Sequence, residues 1–395
     1  MRQNFCILHP FRLRAMQVFG LLTIILTACQ SGVTTVPPTQ EPDVLMTQAV
    51  QTALAEIQTS TPLPTETNLP APTEAARTPP GLPPTFMTDY LDPMDSPHTY
   101  EMDTCSYLKN KWDPNKSAPG TIVFVVMFHG IDKDGLDMDV NDISVRDFNK
   151  MMNDMHEMGF EAIDSEQLVN FLETNAKIPN RSVVLTYDDR HYAEAFEHFR
   201  PYFEQWGWPV INGYIAKEER PDLWAQNAEL AFEGWVDYQA HGVVHNIPMS
   251  NASSDDYLTN ELLGAITNLQ AHFNKTPIAI IWPGGGFDTR PVQFARRFGY
   301  RIGFTVNPRG PIMYNWIPQG DQKDPRRPYY IPEGPVGDPL MTLPRYWPYQ
   351  VLQNLDAIRL LGKEAAAYAE QNKAVELEYY DIVCAPNYGE IPGMQ

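Results

Sequence analysis

The sequence predicts an α/β fold, a parallel sheet or barrel wrapped by helices, and three observations lead there. From Gly120 onward, short β-branched runs alternate with segments of helical period, as in repeated strand–helix units. Runs such as Ile122-Val123-Phe124-Val125-Val126 are apolar at every position, which implies burial on both faces of a sheet. The polar residues of chemical interest follow the ends of these runs, where parallel barrels carry their chemistry.

Each element is justified by its period. Strands are expected at Thr121–Phe128, Glu161–Asp164, Ser182–Tyr187, Val210–Ile215, Trp235–Ala240, Ala279–Trp282 and Ile302–Val306. Helical spacing marks Val145–Met158, Glu166–Thr174, His191–Trp206, Asp255–Phe273 and Arg290–Phe298. One more helix is expected from Tyr349 to about Gln371, followed by a tail holding Cys384. No internal repeat is visible. The 395 residues are 43% hydrophobic, enough for one large domain beside an extended leader. The expected organisation is a signal segment over 1–28, a tether over 29–100, a barrel over 101–348 and a C-terminal helix and tail over 349–395.

The leader carries its own signals. Arg2, Arg12 and Arg14 precede the apolar run Val18–Leu26, which is too short to span a bilayer and has the order of an export signal. It ends in Leu26-Thr27-Ala28-Cys29, which resembles a bacterial lipobox and implies lipidation of Cys29, a membrane anchor and an extracytoplasmic location. The alternative is an ordinary signal peptide with a Cys near its end. Gln30 follows Cys29, so the sequence does not choose between inner and outer membrane. From Thr34 to about Pro97, Pro, Thr, Ala and Glu dominate, and stretches such as Thr61-Pro62-Leu63-Pro64-Thr65 cannot build a core. A short helical spacing over Val44 to Ile57 interrupts them. Export permits a disulfide between Cys105 and Cys384, which would tie the domain edges together. Two separate thiols are the alternative.

Charge narrows the partners. The net charge is −20, and losing residues 1–28 with their three arginines takes it to −23. Nucleic acid and anionic lipid need basic surface, so neither is an expected main partner; a neutral or cationic polymer suits the balance better, and solubility alone is the simpler reading of the charge. A monomer is expected.

Two constellations carry chemistry. Val183-Val184-Leu185-Thr186-Tyr187 runs directly into Asp188-Asp189, and adjacent carboxylates after a buried strand are costly without a cation or hydrogen bonds. Trp235–Ala240 runs into His241-Gly242-Val243-Val244-His245, whose two imidazoles can converge on one metal if the backbone turns. One Asp and two His, with positions left for water and substrate, suit a hydrolytic zinc site.

These segments resemble motifs of the polysaccharide deacetylase family (NodB homology, carbohydrate esterase family 4). Thr186-Tyr187-Asp188-Asp189 is similar to its Thr-Phe-Asp-Asp-Gly motif and His241–His245 to its His-Ser/Thr-x-x-His motif. Phe128-His129-Gly130, Ile281-Trp282-Pro283-Gly284-Gly285 and Leu343-Pro344-Arg345 resemble segments of its exopolysaccharide branch, in the same order, across roughly Gly120 to Trp347. The resemblance implies a distorted (β/α) barrel and hydrolysis of N-acetyl groups on an amino-sugar polymer such as peptidoglycan, a chitin-like chain or an exopolysaccharide. It implies Asp189, His241 and His245 as ligands of Zn2+ or another divalent transition metal. Asp188 would be the general base, and the backbone N–H of Gly284 an oxyanion donor.

Several positions depart from the family pattern. Arg190 stands where a Gly is usual, and Ile281 where other branches place an Arg; Arg190 is therefore expected to orient Asp188. Gly242 replaces a Ser or Thr, and Gly284 an aromatic. No His follows His272, which removes the usual general acid; His129 and His191 are candidates by position, but each is expected to be structural, the first lining the site and the second at a helix start on the surface, and another group, solvent or the base itself are the alternatives. The cluster Tyr314-Asn315-Trp316 in a Pro/Gly-rich loop is expected to be a platform for sugar rings. A non-catalytic carbohydrate-binding lipoprotein on a degenerate deacetylase fold, or an O-acetyl esterase, are the competing functions.

Overall fold

The apolar runs of the sequence lie side by side as one curled sheet, seven strands with every pairing parallel. The computed structural model describes residues 77–132, 141–245 and 247–393. The expected signal segment, Cys29, most of the Pro/Thr-rich tether and the helical spacing over 44–57 lie outside the described residues.

In chain order the strands are β1 (Asp95–His98), β2 (Ile122–Phe128), β3 (Gly130–Asp132), β4 (Asp142–Ser144), β5 (Glu161–Ala162), β6 (Arg181–Asp188), β7 (Val210–Tyr214), β8 (Val236–Ala240), β9 (Ala279–Ile281), β10 (Ile302–Phe304) and β11 (Ile317–Gly320). The helices are α1 (Thr104–Trp112), α2 (Val145–Glu157), α3 (Ser165–Thr174), α4 (Arg200–Trp206), α5 (Pro221–Glu233), α6 (Asp255–Thr259), α7 (Ala265–Phe273), α8 (Thr289–Phe298), α9 (Pro348–Tyr379) and α10 (Ala385–Tyr388). The sheet runs β10-β9-β8-β7-β6-β2, with β5 also on β6.

Strand alternation separates two cores. Along β2, Ile122, Phe124, Val126 and Phe128 pack outward with the helices, while Val123 and Val125 join Val184, Ile211, Ile281, Ile302 and Phe304 inside the barrel. Thr186 and Asp188 share the inward face of β6 with Val184, because they follow it at intervals of two. A carboxylate is thus delivered to the barrel interior by register alone.

The circle between β10 and β2 is closed by a short irregular segment. Leu343 exchanges backbone hydrogen bonds with Gly303 and Thr305 (2.7 and 2.9 Å), and Tyr346 with Val125 and Met127 (2.7 and 3.0 Å). Pro344 lies between them and has no N–H to donate, so the segment bridges the sheet without forming a strand. It carries Arg345 into the interior.

Helix boundaries follow local chemistry. Ser144 caps α2, and Asp164 with Gln167 forms a capping box on α3. The expected helix over His191–Trp206 is two pieces, a 3-10 turn at Ala193–His198 and α4, because Pro201 cannot continue the hydrogen-bond ladder. Between α6 and α7 the helix carries a π-turn, Asn260–Gly264. The last helix is longer than expected. α9 runs to Tyr379 and continues through a π-turn (Tyr380–Cys384) into α10, so Cys384 sits in helix, not in a tail. Its sulfur is bonded to that of Cys105 on α1, across 279 residues of sequence.

The domain also begins earlier than composition suggests. β1 pairs antiparallel with β11, and Phe86 packs on Trp316 and Tyr368. Trp316 Nε1 donates to the Phe86 carbonyl (2.9 Å) and the Tyr368 hydroxyl to that of Pro84 (2.7 Å). Among the described residues, no helix is long and apolar enough to cross a membrane.

Candidate active site

All residues of the two acidic and histidine motifs meet at the C-terminal mouth of the barrel, where β2, β6 and β8 end. Asp188 is the last residue of β6 and is 1% exposed. The chain then turns through a left-handed conformation at Asp189 (φ 74°), one that Asp tolerates better than most residues. The turn is clamped from β7: Asn212 Nδ2 donates to the carbonyls of Tyr187 (2.6 Å) and Asp189 (3.1 Å). Asp188 therefore points inward while Asp189 is swung to the rim, where its side chain is 37% exposed.

Beyond β8 the His241–His245 loop takes left-handed conformations at Gly242 (φ 76°) and His245 (φ 55°). The donor atoms of Asp189, His241 and His245 lie within 4.8 Å of one another. Asp189 Oδ1 is 3.6 Å from His241 Nε2 and 4.0 Å from His245 Nε2, too far for hydrogen bonds and suited to a shared cation. His241 Nδ1 donates to the Ile281 carbonyl (2.8 Å), which leaves its Nε2 lone pair free. Burial holds the His241 imidazole well below its ordinary value, hence neutral, as a ligand must be. His245 Nε2 is buried without a hydrogen-bond partner. These residues fit a metal.

Asp188 is held by a residue that sequence reasoning assigned no such role. Arg345 is fully buried, and its Nη1 donates to both carboxylate oxygens (2.8 Å each) and to Thr186 Oγ1 (3.0 Å). Its Nε donates to the Thr305 carbonyl (2.7 Å). Burial alone would raise the Asp188 carboxyl; Arg345, then His241 and His129, outweigh it and hold the group down at about 2. Arg190 does not orient Asp188. The left-handed turn at Asp189 sends it to the carbonyls of Lys217 and Glu219 (3.4 Å each). The usable signal was the pairing of Ile281, where an Arg is missing, with the late Arg of Leu343-Pro344-Arg345.

The histidine candidates separate. His129 stacks on Trp347 (5.2 Å), with Nε2 3.6 Å from Asp188 Oδ2 and a buried Nδ1 lacking a partner. His191 is half-buried: it stacks on Tyr187 (3.8 Å) and donates from Nε2 to the Asp188 carbonyl (2.6 Å), so it braces the backbone. Gly284 is exposed on the Pro283–Gly285 turn after β9, and the turn's own hydrogen bonds leave from Gly285 and Gly286.

Tyr314-Asn315-Trp316 is not a platform beside this site. Ile312 bridges Val123 near the start of β2, which places the cluster at the opposite, N-terminal foot of the barrel. There Trp316 is 4% exposed, Tyr314 stacks on Tyr107 (5.9 Å), and Asn315 accepts from the Tyr100 and Glu101 amides. A cavity of about 160 Å³ lined by Phe86, Tyr107, Tyr314 and Tyr368 lies at this foot.

Residues 175–303 match the family model described as polysaccharide deacetylase. The chain carries a polysaccharide deacetylase domain. The matched span includes Asp188, Asp189, His241 and His245, and the domain is that of a hydrolase. Among solved structures, this deacetylase domain is similar to the Streptococcus pyogenes deacetylase PplD in complex with acetate. Identity is 20% and the TM-score 0.47, over 60% of this chain and 98% of that one. It is similar to IcaB from Ammonifex degensii at 16% identity and TM-score 0.46, over 61% of this chain and 98% of that one. The de-N-acetylase from Aggregatibacter actinomycetemcomitans matches at 15% identity and TM-score 0.43, over 57% and 94%. No curated protein matches the chain significantly.

Proposed function

We propose that the protein is a metal-dependent de-N-acetylase of an amino-sugar polysaccharide. The observation that carries this reading is the buried Asp188, kept ionised by Arg345 beside the convergent Asp189, His241 and His245. Those three residues would hold Zn2+ or another divalent metal, which when bound polarises the acetamide carbonyl and acidifies a water. Asp188 takes the proton from that water as its oxygen bonds to the acetamide carbon. Arg345 fixes both the charge and the direction of Asp188. The N–H of the exposed Gly284 would support the negative charge that develops on the carbonyl oxygen. His129, whose Nε2 is 3.6 Å from Asp188 Oδ2, would protonate the leaving nitrogen as the C–N bond breaks, giving acetate and a free amine. With Arg345 supplying the cation that Ile281 lacks, one of the grounds for a degenerate, purely binding fold falls away.

Acetate release from N-acetylglucosamine oligomers tests the reading. Activity should vanish with a chelator, return with zinc, and be lost in Asp188→Asn. Release from O-acetylated xylan alone would make it an esterase, and release from no polymer would leave a binding protein. The protein is further proposed to be anchored through lipidated Cys29, which labelling with a fatty-acid probe checks against Cys29→Ser.

A further inference from the structure

Glu261 is a charged side chain with no exposed surface, on a helix, and the acetyl chemistry above does not use it. It lies in the π-turn Asn260–Gly264, and π-turns inside helices often occur at functional sites. Its carboxylate lies under the histidine loop. Oε2 accepts from the amides of Val243 (3.1 Å), Val244 (3.2 Å) and His245 (3.2 Å), and Oε1 from Val244 (2.9 Å) and Asn260 Nδ2 (3.3 Å). Three successive amides converging on one anion form a nest, here filled by a side chain of the same protein. A buried carboxylate without such donors would be strongly unfavourable, so the loop and the glutamate specify each other's positions.

Gly242 completes the argument. A Cβ built there would lie 2.5 Å from Glu261 Oε2, with Pro283 Cγ at 3.1 Å on another side. The space that a Ser or Thr side chain would take at this position is occupied by the carboxylate. The loop is therefore tied by an acid from a neighbouring helix instead of by a hydroxyl of its own.

We propose that Glu261 is the positioning residue of the metal loop, holding the left-handed conformation of His245 so that its Nε2 faces Asp189 and His241 before any cation arrives. The proposal rests on the reading of His241 and His245 as metal ligands. Groups that orient metal ligands typically contribute about 10–100-fold in affinity.

The test uses the full mature chain and two readouts. Amide exchange at Val243, Val244 and His245 in chelator-treated protein reads the loop without metal. Zinc competition against a fluorescent chelator reads the consequence. Glu261→Gln, which preserves shape, and Glu261→Ala should both speed exchange at the three amides, and Glu261→Ala should weaken zinc by about 10–100-fold. Gly242→Ser alone should also weaken zinc, whereas Gly242→Ser combined with Glu261→Ala should recover part of the loss, a non-additivity expected of groups in contact. Unchanged exchange in Glu261→Ala with a native circular dichroism spectrum overturns the positioning role. So does unchanged zinc affinity in a wild type that binds zinc. A wild type that binds no zinc, yet shows the exchange effect, overturns the metal reading instead and confines Glu261 to holding the loop.

Discussion

Asp188 and Arg345 form a pair in which each member makes the other tolerable: the side chains are both 1% exposed and meet at 2.8 Å. Removing one leaves a buried charge without a partner, which typically costs about 3–5 kcal/mol. Arg345→Met should therefore lower the melting temperature markedly and reduce acetate release by on the order of 100-fold, the scale of a lost acid–base contribution. Arg190→Gly, whose side chain reaches only two carbonyls at 3.4 Å, should change neither by much. Parallel melts and acetate assays on the two variants check the contrast. The pair also sets an acid response. The folded Asp188 carboxyl is depressed to about 2, against about 3.9 in an unfolded chain. Its stabilisation is complete above about pH 4 and is lost as the pH falls through about 2. A melting series from pH 5 to about 2 should drop more steeply in wild type than in Arg345→Met, where the depression is gone.

Elements were legible in proportion to how much of their burial showed as pattern. β2 stood out because burial on both faces leaves no polar residue to interrupt the run, and β6 stood out through its apolar centre Val183-Val184-Leu185. α1 and α5 were missed. The first is mostly polar, and the second opens with Arg220-Pro221-Asp222, which reads as a turn although Pro at a first helical position is favourable. The aromatic cluster misled for a different reason. Pro- and Gly-rich composition usually marks exposed loops, yet Tyr314 to Trp316 is pinned by Ile312 to the foot of β2. Trp316→Ala should thus cost about 3–5 kcal/mol of stability and leave the Michaelis constant for oligosaccharide unchanged, which denaturant melts and steady-state kinetics can separate. Glu261 escaped notice because the helical period of Asp255–Phe273 continues smoothly through its π-turn, and only the third dimension sets its carboxylate beneath His245. Arg345 escaped because a motif that ends in Arg does not say what that Arg touches.

For the whole molecule, the helix that precedes the barrel and the long helix that follows it are fastened to each other. Cys105 on α1 joins Cys384 beyond α9, and Lys111 and Trp112 both donate to Glu376 on α9 (2.7 Å each). Closing a loop this long removes much freedom from the unfolded chain, and native bridges commonly contribute about 2–5 kcal/mol. Cys384→Ser should lose stability on that scale while leaving acetate release below the melting range intact, since the bridge touches no site residue. A variant as stable as wild type in urea would show that helix packing alone fastens the two ends.

Residues 77–86 run onto the molecule along this same α9, with Arg77 against Asp381 and Glu378 and Phe86 on Tyr368, at the foot of the barrel. The mouth with its histidines opens at the other end. The segment that enters the fold and the mouth that holds the histidines therefore occupy opposite ends of one barrel, so loosening residues 77–86 should disturb the foot and leave the geometry of His241 and His245 as it is.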